Sequence, residues 1–253
     1  MDRYAKTGRY PKAIVPVALY GMPYRIDRIM AVADKYGIPV VEDAAEGFGS
    51  RFDGQVLGTF GKYGVLSFNG NKMITTSGGG ALVCSSPEDA NTVMWYATQA
   101  RDSYPYYQHT AIGYNYRMSN ICAGIGRGQM TVADAHISHH KHVQSLYEEL
   151  LASVPGIKVH SQPSDARFDS NYWLCTIELD PSLRIKGQEN AYKEVIKTAV
   201  GGAAGVYASA PAYVNGVSEA VFKVGMCLPA GPYVSDDDVR YIVECIKEAI
   251  ADN

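Results

Sequence analysis

No cysteine in this sequence stands at metal-ligand spacing from another. The five cysteines (Cys84, Cys122, Cys175, Cys227 and Cys245) are scattered, odd in number and form no CxxC pair. That pattern excludes a disulfide framework and an ordinary zinc site and fits a reducing, cytoplasmic setting. No apolar run approaches the roughly 20 residues of a membrane span, and the opening residues 1–6, MDRYAK, lack the apolar core of a signal peptide. A soluble protein is expected. Charge of one sign is also missing: 23 Lys+Arg stand against 26 Asp+Glu, a net charge of -3, so there is no basic field for nucleic acid. No GxGxxG follows an apolar run, which argues against a nicotinamide enzyme.

Apolar material is plentiful. With 47% hydrophobic and 19% charged residues over 253 positions, the chain can build one large core or two modest ones. Residues 13–19 form a short apolar run, broken by Gly21 and Pro23, after which Ile26, Ile29, Met30 and Ala33 recur at helical spacing until Gly37-Ile38-Pro39 ends the pattern. The run 38–41 reads as the next strand, completing a βαβ unit, and 65–68 and 81–84 add two more strands. A helix is expected over 88–101 and a largely continuous helical pattern over 118–151, bridging two domains. From Pro155-Gly156 the composition changes. The run 172–179, NYWLCTIEL from Asn171, alternates poorly and predicts a strand buried on both faces; a helix follows over 189–200. Ser235-Asp236-Asp237-Asp238 caps a last helix carrying Val239, Ile242, Val243, Ile246 and Ile250 on one face. The fold class is α/β, a mixed, mostly parallel sheet with flanking helices over 1–154, joined by the connecting helix to a smaller α+β domain over 155–253.

The stretch 40–80 carries the chemistry. Asp43 follows an apolar strand and so stands at its carboxyl end, where open α/β sheets place ligands. A carboxylate there can pair with a protonated pyridine nitrogen. Lys72 lies beyond the run 63–68 on a loop of Asn69, Gly70 and Asn71, where its amine can form a Schiff base with an aldehyde. Ser67 can donate a hydroxyl to a phosphate, and Gly78 to Gly80 admit a bulky ligand close to the backbone. Singly, these residues read as a turn cap, a surface charge and a flexible turn; their order gives them weight. His136, His139, His140 and His142 have i, i+3 and i+4 spacings, but no cysteine or acid stands beside them at ligand spacing, so they read as solvated rather than metal-binding.

The motifs Glu42-Asp43-Ala44-Ala45-Glu46, Gly58-Thr59-Phe60-Gly61, Ser67-Phe68-Asn69-Gly70-Asn71-Lys72 and Gly78-Gly79-Gly80 resemble the DegT/DnrJ/EryC1/StrS family of sugar aminotransferases, which have the fold type I architecture. The wording of SFNGNK, ITTSGGG and GYNYRMSN is most similar to members that aminate C4 of a UDP-linked 4-keto-6-deoxy-N-acetylhexosamine. The resemblance implies pyridoxal 5'-phosphate as cofactor, held by Lys72 as a Schiff base with Asp43 on the pyridine nitrogen. It implies Glu46 near the ring's phenolic oxygen, glutamate as amino donor, and a nucleotide-linked keto sugar as acceptor. Lys72 argues against the family's dehydrating branch, which has histidine there. Within GYNYR the resemblance implies a homodimer in which Asn115 holds the cofactor phosphate of the neighbouring subunit; Arg117 offers a bidentate fork to substrate. Read from the residues alone, the same segment is a tyrosine-rich packing corner with Arg117 paired to an acid. Leu228-Pro229-Ala230-Gly231 resembles the family's LPSG turn. Two departures stand out: the family's phosphate loop and ring-stacking residue would precede Met1, and a shorter stretch, GGAAGVYASAPAY over 201–213, replaces a sugar-lining segment. The expectation is that the N-terminal part of the large domain is missing from this sequence by omission. The alternative is a catalytically impaired fragment or paralogue serving as a dimer partner or binding module.

Overall fold

The computed structural model describes residue 8 and residues 10–182 and 215–251. The helix expected over 189–200 and the stretch 201–213 lie outside the described residues. The chain divides into two compact units, Met1–Lys141 with Gln162–Trp173, and His142–Ser161 with Leu174–Asn253.

In the first unit, helix α1 (Ile26–Tyr36) forms where the apolar spacing predicts it, and Gly37 ends it in the left-handed region at φ 62, its N–H returning to Ala33 and Asp34 carbonyls. Ile26 and Ala33 are buried against Ala18, Val40, Leu57 and the edge-on pair Phe52–Phe168, whose ring centroids lie 5.1 Å apart. Burying a side chain the size of Ile26 or Leu57 contributes about 1.5–3 kcal/mol. Strand β1 (Val41–Asp43) is followed by β2 (Arg51–Phe52), β3 (Gln55–Val56), β4 (Tyr63–Ser67) and β5 (Gly80–Cys84). β1 pairs with β4 in parallel and β4 with β5 antiparallel, so the sheet is mixed. The apolar run around residue 14 lies alongside β1, through parallel bridges at Ile14–Val40 and Val17–Asp43.

Strand alternation divides this sheet. Ala18, Glu42 and Gly64 are buried on one face, while Val17, Asp43, Val65 and Leu82 share the other, with Val17 51%, Val65 37% and Leu82 40% exposed. Glu42 is fully buried and has no cation beside it among the described residues. Its carboxylate instead accepts from the Tyr24 hydroxyl (2.7 Å) and from the N–H groups of Gly58 (2.9 Å), Phe60 (2.6 Å) and Gly61 (2.8 Å). Three backbone dipoles satisfy the charge and fold residues 58–61 onto the sheet. Burial, and then the Glu42 carboxylate, push the Tyr24 phenol far above its usual range. Gly64 admits this loop, since a Cβ there would lie 1.9 Å from the Gly58 carbonyl oxygen.

Helix α2 (Pro87–Ala97) starts at the Ser86 cap and stops short of the expected residue 101, because Gln99 and Ala100 take positive φ values of 68 and 49. The pattern over 118–151 is two helices rather than one: α3 (Asn120–Met130), capped by Ser119, and α4 (Ala133–Leu151), which contributes residues to both units. Strand β7 (Phe168–Asp169) pairs with β2. No described helix is long and apolar enough to cross a membrane.

The histidines of α4 differ from the solvated row expected. His140 is 4% exposed and its Nδ1–H donates to the Tyr172 carbonyl at 3.1 Å, while His136 faces the Met73 carbonyl. Burial is the main reason that the His140 imidazole is pushed down to about 4.

The second unit holds an antiparallel sheet of β6 (Ile157–Val159), β8 (Cys175–Leu179) and β9 (Gly225–Leu228), in the order β6-β8-β9, with helices α5 (Val217–Val224) and α6 (Asp236–Ala251). The expected strand over 172–179 shrinks to β8. Cys175 and Ile177 are buried and their neighbours less so, so one face is covered rather than both, and Tyr172 breaks the extended backbone with φ 48. Cys175 and Ile177 pack with Val143, Tyr147 and Leu151 of α4 and Val239 and Val243 of α6. Tyr147 donates its hydroxyl to the Pro229 carbonyl at 2.9 Å, fixing the LPAG turn. Ser235 and Asp238 exchange bonds at the start of α6, which makes the acidic run a cap, as its sequence implies.

Two outcomes test this packing. Glu42→Gln sets an amide NH2 against the buried N–H donors and costs about 3 kcal/mol or more in urea unfolding. His140 binds a proton more weakly folded (about 4) than at its ordinary value of 6.5, so the unfolded chain protonates first as pH falls. Stability is full above pH 6.5 and declines towards pH 4 by up to about 3 kcal/mol, and a His140→Gln chain loses that part of the decline.

Candidate active site

Asp43 closes β1 half-buried at its carboxyl end. Its Oδ1 accepts from the Ala45 N–H at 3.2 Å, turning the chain, and Oδ2 takes no hydrogen bond from the described residues. The turn brings Glu46 back towards the sheet, where Oε2 accepts from the Tyr20 N–H at 2.7 Å. Parallel β4 ends at Ser67 beside Gly80, on the same face of the sheet as Asp43.

The loop after β4 is held from both sides. Phe68 N–H bonds the Gly79 carbonyl (3.1 Å), Thr76 N–H bonds the Phe68 carbonyl (2.8 Å), and Gln129 of α3 accepts from Thr75 N–H (3.1 Å). Met73 and Ile74, 5% and 2% exposed, anchor it in the interior. Lys72, on the turn closed by its own N–H to the Asn69 carbonyl, therefore points its side chain from a fixed base. Lys72 Nζ lies 3.1 Å from Glu46 Oε1, and the two side chains are only 14% and 20% exposed. An ammonium so far removed from water needs a partner, and the carboxylate supplies it. The indole of Trp173 gives a second one, its centroid 4.1 Å from Nζ.

Asp43, Glu46, Ser67 and Lys72 thus gather where β1 and β4 end. Glu46, expected beside a ring oxygen, is engaged by Lys72 and by the Tyr20 amide. Asn115 and Arg117 are not drawn in: both are exposed, Asn115 bridges Thr98 through its backbone, and neither side chain hydrogen-bonds the other four among the described residues.

Sequence reasoning missed three contributors. Glu42 stands in the first motif with no role that its sequence position suggests, yet it organises the loop 58–61. Asn171 is fully buried; its Nδ2 donates to the Glu46 and Phe48 carbonyls at 2.8 and 2.9 Å, and its Oδ1 accepts from Trp173 N–H. Gly21 makes room for it, since a Cβ there would overlap Asn171 Oδ1 at 1.8 Å. Trp173 lies about a hundred residues from Lys72, and no local pattern in the sequence marks either it or Asn171 as part of a site.

The donor set fits pyridoxal phosphate: an amine on a rigid loop, a carboxylate with an open oxygen at a parallel strand end, and a serine hydroxyl on the same sheet face. A model of the DegT/DnrJ/EryC1/StrS aminotransferase family matches residues 5–247. EpsN of Bacillus subtilis (strain 168), provisionally assigned as a pyridoxal phosphate-dependent aminotransferase, is 36% identical over 257 residues, covering 97% of this chain and 65% of its own. The GDP-perosamine synthase of Escherichia coli O157:H7 is 32% identical over 246 residues, covering 95% of this chain and 66% of its own. This chain therefore spans about two thirds of the length of these curated relatives. The crystal structure of a DegT DnrJ EryC1 StrS aminotransferase from Brucella abortus matches with TM-score 0.81 at 26% identity, over 98% of this chain and 67% of that one. The mixed sheet, its flanking helices and the smaller second unit are those of a fold type I aminotransferase, and the chain belongs to the DegT/DnrJ/EryC1/StrS aminotransferase family.

Proposed function

We propose that this chain supplies the cofactor lysine and the pyridine-binding carboxylate of a pyridoxal phosphate-dependent aminotransferase. It moves an amino group from glutamate to C4 of a nucleotide-linked 4-keto-6-deoxy sugar of the UDP-N-acetylhexosamine type. The observation that carries the reading is the placement of Lys72 Nζ at 3.1 Å from Glu46, three residues beyond Asp43, at the end of β1. When bound, the cofactor supplies an electron sink for the carbon that exchanges its amino group. Asp43 would hold a proton on the pyridine nitrogen through a charge-assisted hydrogen bond. Lys72 Nζ would hold the cofactor, and as a free amine it would move a proton as general base and then general acid. Glu46 Oε1 is the neighbouring acceptor for the Lys72 ammonium whenever that side chain is free of the cofactor, and Ser67 would donate its hydroxyl to the phosphate. The printed name of the GDP-perosamine synthase supports a nucleotide-linked sugar as acceptor; the preference for the UDP sugar is supported by the wording of residues 67–72 and 113–120.

Homodimerisation with active sites at the interface is part of the same proposal. It is supported by the exposed apolar surface around Asn115, where Ile112 is 82%, Tyr116 75% and Ile121 78% exposed.

With pyridoxal phosphate, the wild-type chain develops a visible absorption band; Lys72→Ala loses the band and keeps its far-ultraviolet circular dichroism. Asp43→Asn keeps the band and lowers turnover by about a hundredfold or more. Incubation with glutamate and a panel of UDP- and GDP-linked 4-keto sugars, read by mass and NMR, yields a 4-amino product from the UDP sugar. A wild-type chain without a band at saturating cofactor contradicts the proposal. In sedimentation the wild type runs as a dimer and Ile121→Asp shifts it towards monomer; a wild-type monomer at active concentrations contradicts the dimer.

A further inference from the structure

Trp173 makes contacts for which the aminotransfer reaction as stated has no use. It is 7% exposed, and its indole N–H donates to the Asn71 carbonyl at 2.8 Å, next to Lys72. Its ring stacks on Tyr20 with centroids 6.5 Å apart and an interplanar angle of 28°. Tyr20 in turn gives its backbone N–H to the far oxygen of the carboxylate that pairs with Lys72. The backbone of Trp173 is locked by Asn171, the residue that also grips the Glu46 carbonyl. One short segment, from Asn171 to Trp173, therefore fixes both the acid and the loop that carries the amine. It also lays an aromatic face 4.1 Å from Nζ.

A lysine side chain carries large rotamer freedom, and an amine released from a covalent bond would otherwise spread over many positions. Here the Nζ meets a carboxylate at 3.1 Å and the indole face at 4.1 Å, two surfaces whose negative potential both attract an ammonium. We infer that Trp173 is a positioning residue for Lys72: its indole face holds the ε-amine against Glu46 whenever that amine is not bonded to the cofactor, so that the free amine waits at one place. The ring does this work. The indole N–H, bound to Asn71, fixes the loop and is a separate function.

This inference rests on Lys72 being the cofactor lysine, and the test separates the two. The cofactor-free full chain is acetylated with trace acetic anhydride, and labelling of Lys72 is compared by peptide mass spectrometry with that of Lys158, whose side chain is 68% exposed. Trp173→Phe keeps an aromatic face and loses the N–H; its Lys72 stays as protected as in the wild type. Trp173→Leu loses the face, and Lys72 labelling relative to Lys158 rises roughly tenfold. Trp173→Met, which keeps more of the volume without the ring, replaces the leucine chain if that chain does not fold, and gives the same rise. Equal protection in all variants overturns the inference, and so does a rise in Trp173→Phe as large as in Trp173→Leu, which would leave only the N–H to Asn71. In parallel, the wild type is incubated with pyridoxal phosphate and reduced with borohydride. A pyridoxyl group on the Lys72 peptide upholds the functional reading even where the acetylation result removes the role of Trp173, and its absence from Lys72 overturns that reading by itself.

Discussion

A buried carboxylate with no counter-cation among the described residues sets the geometry of the first unit. Glu42 is affordable in the interior only because three backbone N–H groups and a phenol converge on it. Satisfying that charge draws residues 58–61 onto the sheet and fixes where β4 begins, parallel to β1. The next residue, Asp43, points the other way because successive side chains in a strand alternate. One strand therefore spends its first acid on structure and presents its second at an open face, beside the end of β4 and the loop that carries Lys72.

The same economy of charge governs the amine. Lys72 is drawn out of water by a loop whose neighbours Met73 and Ile74 are buried, so its ammonium depends on Glu46 and on the face of Trp173. Those partners arrive from separate parts of the chain, residue 46 from the turn after β1 and residue 173 from the last segment of the first unit. Asn171 joins the two, with its side-chain amide on the Glu46 carbonyl and its oxygen on Trp173 N–H.

Local features of the fold were legible in the sequence where local physics decides them. Helix α1 announced itself through Ile26, Ile29, Met30 and Ala33 and the left-handed stop at Gly37; the acidic cap of α6 did so through Ser235 and Asp238. The order of an acid, a serine and a lysine after two apolar runs was equally readable, since strand ends are where side chains become available. What stayed hidden depends on contacts across long stretches of chain. Nothing near Glu42 says that it is the buried structural acid and Asp43 the half-buried one on the other face; that follows from which face of the sheet is covered. His140 looks like one of a solvated row until the Tyr172 carbonyl is set beside it. The run 172–179 promised a doubly buried strand, but Tyr172 takes a positive φ and Trp173 turns its indole N–H to the Lys72 loop, leaving β8 to begin at Cys175.

The central claim is that Asp43 and Lys72 address opposite ends of one ring. A crystal structure of the full chain with pyridoxal phosphate tests it most directly. The account predicts continuous density from Lys72 Nζ to the cofactor and an Asp43 oxygen within hydrogen-bond distance of the ring nitrogen. A cofactor bound with its nitrogen away from Asp43, or joined to another lysine, would contradict it.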